Sequence, residues 1–192
     1  MPFANFARWS GIAAILGGVL WSASIFVSDL DSTIANILFF LIPLLFLVAL
    51  VGLYAHCRGR LGVWEALSRM GFITGVVGLV VASIGTLGTG VQGGGFLWVS
   101  ELSWWAFAFG YFVLSLGLLL LGYFILQTGP LIRLRGLPLG IGILGLLVIL
   151  IPPWAFPGAG LVWGLYGLSW AVLGYSLLSG VIGSAPRSAR VR

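Results

Sequence analysis

The chain has 192 residues, of which 60% are hydrophobic and 7% are Asp, Glu, Lys or Arg. A soluble domain carries about 25% charged residues, so this chain lacks the polar surface to fold in water, and lipid is its expected solvent. The formal charge is +5, and every cation is arginine. Without lysine no Schiff-base site can form. A single histidine, His56, excludes a bis-histidine haem or a multi-histidine metal site, and a single cysteine, Cys57, excludes an internal disulfide.

A membrane helix needs about 20 apolar residues. In chain order the apolar runs are Arg8–Val27, Ile34–Ala55, Met70–Thr89, Trp104–Gln127, Leu137–Pro152 and Gly160–Val181. They predict an all-α integral membrane bundle of six transmembrane helices forming one domain over 1–192. Ser22-Ala23-Ser24 after Gly11–Leu20 resembles a signal-peptide cleavage site, but the apolar run continues through Ile25-Phe26-Val27, which favours a retained first span.

The connections set the orientation. Arg8 precedes the first span, and the acidic Ser28–Thr33 stretch, with Asp29 and Asp31, follows it. Arg58, Arg60 and Arg69 surround the second connection. The third holds Glu101 and no arginine. Arg133 and Arg135 lie in the fourth, the fifth is uncharged, and Arg187, Arg190 and Arg192 end the chain. Alternate connections thus carry all the arginines, and the positive-inside rule makes that side cytoplasmic. Both termini are expected inside a cell membrane, and arginine without lysine points to a GC-rich bacterial genome and its inner membrane. The basic charge then belongs beside anionic headgroups, not on nucleic acid.

Odd spans open with Arg followed by Gly (Arg8 and Gly11, Arg69 and Gly71, Arg135 and Gly136). Even spans share Gly52-Leu53-Tyr54, Gly122-Tyr123-Phe124 and Gly174-Tyr175-Ser176 near their inner ends. Three tandem helical hairpins are one reading, and interfacial preference for Arg and Tyr is the other. Small residues recur in steps of four and three. The stripes are Ala7, Gly11, Ala14 and Gly18; Gly71, Gly75, Gly78, Ala82, Gly85 and Thr89; and Gly160, Gly164, Gly167, Ala171 and Gly174. Each stripe lies on one helix face, where backbones can approach closely. Either the stripes pack the bundle internally, or one of them faces outward to receive a partner helix.

No ionisable residue lies near the middle of a span, which argues against a proton-coupled transporter, a pump or a voltage sensor. No nucleophile–base pair, paired acids or metal-ligand spacing appears, so no catalytic residue, metal or cofactor is expected. His56 reads as an interfacial residue among arginines. Glu65 and Arg69, four apart, read as a surface ion pair. Pro43 should kink the second span or free a carbonyl.

Aromatic residues are richer on the outer side: Trp21, Phe26, Phe39, Phe40, Phe96, Trp98, Trp104, Trp105, Trp154, Phe156, Trp163, Tyr166 and Trp170. Interfacial tryptophans form a girdle in many membrane proteins. An excess on one face also fits an apolar ligand pocket with few polar groups. Trp104, Trp105, Trp163, Tyr166 and Trp170 are the expected walls, with Glu101 as the nearby acid and Gln92 with Gly93–Gly95 as a covering loop. Trp104 and Trp105 are neighbours and diverge around the helix, so one of them should face lipid.

The expected role is non-enzymatic: binding or passing a small apolar or amphiphilic molecule through the outer-leaflet half. In general form the chain is similar to the substrate-binding subunit of a vitamin importer, in size, six spans and a smooth helix face, with no residue-level match. The alternative is an accessory subunit that packs against other membrane subunits through a small-residue stripe.

Overall fold

The computed structural model describes residues 2–24, 32–58, 64–90, 97–128, 135–151 and 158–183. These form six α-helices: α1 (Pro2–Ser24), α2 (Ser32–Cys57), α3 (Glu65–Gly90), α4 (Leu97–Thr128), α5 (Leu137–Leu150) and α6 (Ala159–Gly183). No strand occurs among the described residues. Four of the helices are long and apolar enough to cross a membrane, over Phe40–Cys57, Glu65–Thr86, Leu102–Gln127 and Ala159–Ser179. α5 has only 14 residues, so it reaches about 21 Å, less than a hydrocarbon core of about 30 Å. Each apolar run of the sequence becomes a helix. α1 and α4 each begin several residues earlier than the runs do, because Pro2–Ala7 and Leu97–Ser103 continue the helix.

Each helix packs against the next in sequence, and α6 returns to pack against α1, which closes a ring. Neighbours run antiparallel. Ser10 meets Gly52 and Phe46 meets Gly17, while Gly71 lies against Gly117 and Gly85 against Ser103. Arg8, Arg58, Arg69 and Arg135 therefore stand at one end of the bundle, all exposed. Arg60, Arg133 and the tail arginines lie outside the described residues. At this end Arg58 pairs with Glu65 at 3.8 Å. Glu65 thus pairs across the α2–α3 connection and not with Arg69 one turn along. Being exposed, it adds no more than about 1 kcal/mol.

The small-residue stripes are taken up within the chain. The α3 stripe docks on α4, where a methyl group added at Gly78 would strike the backbone of Gly110 and Leu114, and one at Gly85 that of Ser103 and Phe107. α4 answers with its own stripe, Ser103, Gly110 and Gly117, at heptad spacing. The α6 stripe docks on α1, with Gly167 against Gly18 and Gly174 against Gly11. Ser22 reinforces this seam by placing its hydroxyl 3.0 Å from the Gly164 carbonyl. Close backbones gain dispersion contact that lipid tails cannot replace. Away from the seams, the outward side chains are apolar, such as Leu16, Val77, Ile84, Leu120 and Leu165, a surface consistent with lipid contact.

The close pairs do not repeat with three hairpins. Gly11 and Gly71 both meet a neighbouring backbone, yet Gly136, their counterpart at the start of α5, has nothing within 4 Å of an added methyl group. Pro43 is buried, and α2 continues through it from Ser32 to Cys57.

The ring's centre is aromatic. Trp21 of α1 stacks on Trp163 of α6 (5.3 Å, 11°) and lies parallel to Phe107 of α4 (6.4 Å, 3°). Its indole N–H donates to the Trp163 carbonyl at 3.0 Å, so the ring is held at both its face and its edge. Phe46 of α2 stacks on Trp170 at 4.3 Å. The buried Ser115 hydroxyl is satisfied locally: it donates to the Tyr111 carbonyl at 2.7 Å, within its own helix.

Candidate functional site

At the end away from the arginines, α4, α5 and α6 leave a cleft of about 210 Å³. Gly142 and Gly145 let α5 sit close against Leu119 and Ser115 of α4. Further along α5 the bulkier Val148 and Ile149 face the α4 rings, and space remains between them. Trp104, Trp105, Phe107, Ala108 and Tyr111 of α4, Val148 and Ile149 of α5 and Trp163 of α6 line it. Trp105 is 68% exposed and Trp104 39%, whereas Trp163 is 7% and Tyr111 1%. The rim is thus tryptophan and the floor is Tyr111.

The walls are held from behind. Trp104 stacks on Phe107 at 5.6 Å, and Phe107 packs on Tyr111 at 4.7 Å. The Trp163 N–H donates to the Ile151 carbonyl at 2.9 Å, which ties α6 to the end of α5. Among the described residues no charged side chain borders the cleft. Among the described residues no group of three or more His, Cys, Asp or Glu comes together.

Among the described residues three polar atoms of the core complete no well-formed hydrogen bond: the hydroxyls of Tyr111 and Tyr166 and the Trp170 indole N–H, although the Tyr166 hydroxyl and the Trp170 side chain interact. Leaving such a group unmade costs about 1–3 kcal/mol, which marks this part of the core as polar and unfinished. Tyr111 and Tyr166 stand ring to ring at 6.4 Å, and Tyr166 and Trp170 at 6.5 Å. Tyr111 is the member of this set that also lines the cleft.

Of the walls expected from sequence, Trp104, Trp105 and Trp163 border the cleft. Tyr166 and Trp170 do not: both are wholly buried, packed against Trp21 and Phe46 in the ring's centre. They share a face with Trp163 but continue down the helix into the core. Trp105 is the more outward of the neighbouring pair. Glu101 lies in the first turns of α4, with its side chain outside the described residues. The side chains of Phe39 and Trp98 likewise lie outside the described residues, and Phe26, Asp29, Asp31, Gln92, Gly93–Gly95, Phe96, Trp154 and Phe156 lie outside them altogether. Phe107 and Tyr111 were not singled out in the sequence, although Trp104, Phe107 and Tyr111 fall at i, i+3 and i+7, one helix face. Val148 and Ile149 gave no such signal, because α5 is apolar all round.

No protein-family model, no curated protein and no solved structure matches this chain.

Proposed function

We propose that the chain is a six-span protein of a cell membrane, with both termini cytoplasmic, that binds or passes a small apolar or amphiphilic molecule through its outer half. The cleft between α4, α5 and α6 carries this reading: it is concave and aromatic, its described lining residues carry no charge, and it opens toward the bundle's outer surface. Its volume of about 210 Å³ exceeds the roughly 150 Å³ that holds a benzene ring in a dry apolar cavity. It falls below the range of about 300–1,000 Å³ typical of drug-sized ligands. A molecule of one or two rings, or one end of a longer amphiphile, suits it.

The arginines of the described residues at one end of the ring support the orientation. Reporter fusions after Arg60, Arg135 and Arg192 should read as cytoplasmic, and fusions after Asp31 and Gly158 as external. One inverted site would overturn the six-span arrangement. An accessory role is the second reading, but the stripes that a partner helix would use on α1, α3 and α6 are occupied by this chain's own helices. Native mass spectrometry of the protein purified in mild detergent separates the two. A retained small apolar molecule supports the ligand reading, and a retained second protein supports the accessory one.

A further inference from the structure

Resting on the cleft as a ligand site, we propose that the group it takes is a quaternary ammonium, the charged end of an amphiphile, held on the cleft's rings by cation–π attraction. Most of the lining is aromatic: Trp104, Trp105 and Trp163, with Phe107 and Tyr111. The face of an aromatic ring is negative, and indole attracts a cation best. A wall of such rings draws positive charge without carrying a formal charge itself.

The walls are set before a ligand arrives. Trp163 gives one face to Trp21 at 5.3 Å, and its N–H is held by the Ile151 carbonyl. Trp104 gives one face to Phe107 at 5.6 Å. Rings fixed in this way lose little freedom on binding. Charge along the bundle favours the same sign. The described arginines, Arg8, Arg58, Arg69 and Arg135, stand at the opposite end. Glu101 belongs to the turn of α4 just before Trp104 and Trp105, and a carboxylate on that turn adds to the attraction. A methylated cation suits the cleft better than a protonated amine. Its methyl groups gain dispersion contact from the rings, and it has no N–H whose hydrogen bonds to water would be lost. A trimethylammonium group is comparable in bulk to the benzene ring that a cavity of roughly 150 Å³ holds, so it fits within the cleft's volume of about 210 Å³.

The test uses the full chain in a non-ionic detergent, so that no lipid head group competes. The probes are choline and dimethylbutanol, its neutral isostere with carbon in place of the charged nitrogen, and binding is followed by calorimetry. The ratio of the two affinities is compared between the parent and its variants, which cancels differences in partitioning. The parent should favour choline. Trp105→Leu should reduce that preference by about fivefold, the worth of one cation–π contact. The ring is 68% exposed, so the fold does not depend on it. Trp105→Phe, which keeps a ring, should retain part of the preference. Trp9→Leu, which removes an exposed tryptophan at the arginine end, should keep the parent's ratio. Equal affinity of the parent for the two probes, or a preference unchanged in Trp105→Leu, would overturn the proposal and leave the cleft reading standing. A preference abolished by Glu101→Gln alone would give the selectivity to the carboxylate and overturn it too. If neither probe binds the parent, the cleft reading itself fails, and this proposal with it.

Discussion

α4 takes part in two kinds of contact. One face, Ser103, Gly110 and Gly117, meets the glycines of α3 so closely that no methyl group fits between them. The other face, Trp104, Phe107 and Tyr111, meets the short α5 across a cleft. The helix is the same and so is the solvent. The difference lies in what each face has to close against. Complementary small residues bring two backbones together along their whole length. A short helix facing rings cannot do this, and the rings leave a gap. A membrane protein can thus hold an open site without losing stability if the tight seams lie elsewhere in the ring.

The sharpest way to break this comparison is to fill the seams. Gly78→Leu and Gly167→Leu should each cost several kcal/mol, at or beyond the usual overpacking range of about 1–3 kcal/mol, because the obstacle is backbone and not a movable side chain. Thermal unfolding in detergent is the measurement. An unchanged midpoint for both would mean that the seams are not the stabilising contacts.

The presence of the helices and the stripes on their faces were legible in the sequence because each depends on local spacing, though α1, α3 and α4 begin five to seven residues before the apolar runs do. Which stripe meets which was not, since that depends on how the ring closes. Nothing local says that Gly18 will meet Gly167, or that Ser103, Gly110 and Gly117 will answer α3. The lining of the candidate cleft was half legible for the same reason. Trp104, Trp105 and Trp163 were found from their outer position. Tyr166 and Trp170 share that face but point to the centre, where Trp21 and Phe46 arrive from helices far away in sequence. The Glu65 pairing was misread because the α2–α3 connection brings Arg58 within 3.8 Å, a contact that helix spacing does not encode.

Trp21 is where the tight seam and the open corner meet: it sits beside the α1–α6 contact and backs Trp163 and Phe107 of the cleft. Trp21→Ala should cost about 3 kcal/mol, as for other large buried rings. It should also loosen the cleft, lowering choline affinity along with the unfolding temperature. A loss of stability with unchanged choline binding would show that the walls hold themselves.

Tyr166→Phe should act the other way. The ring keeps its contacts with Trp21 and Phe46, and a buried hydroxyl that completes no well-formed hydrogen bond is removed. The expected change is a gain of at most about 1 kcal/mol, or none. A clear loss would mean that the hydroxyl is satisfied, for instance by an internal water.

The smallest effect is expected at Gly140. It lies in the first turn of α5, and an added methyl group there meets nothing within 4 Å. Replacing a helical glycine by alanine restricts the unfolded chain and adds up to about 1 kcal/mol where space allows. Gly140→Leu should then leave the unfolding midpoint within the scatter of the parent, while Gly78→Leu in the same assay lowers it. The contrast carries the information, because the two substitutions add the same side chain to the same kind of residue in the same kind of helix. Only the distance to the next backbone differs. If Gly140→Leu instead destabilised the protein as strongly as Gly78→Leu, α5 would be closed against something outside this chain. Cross-linking from Gly140→Cys would then show whether a second copy or another membrane subunit covers it, and the accessory reading would gain the contact surface that the internal stripes deny it.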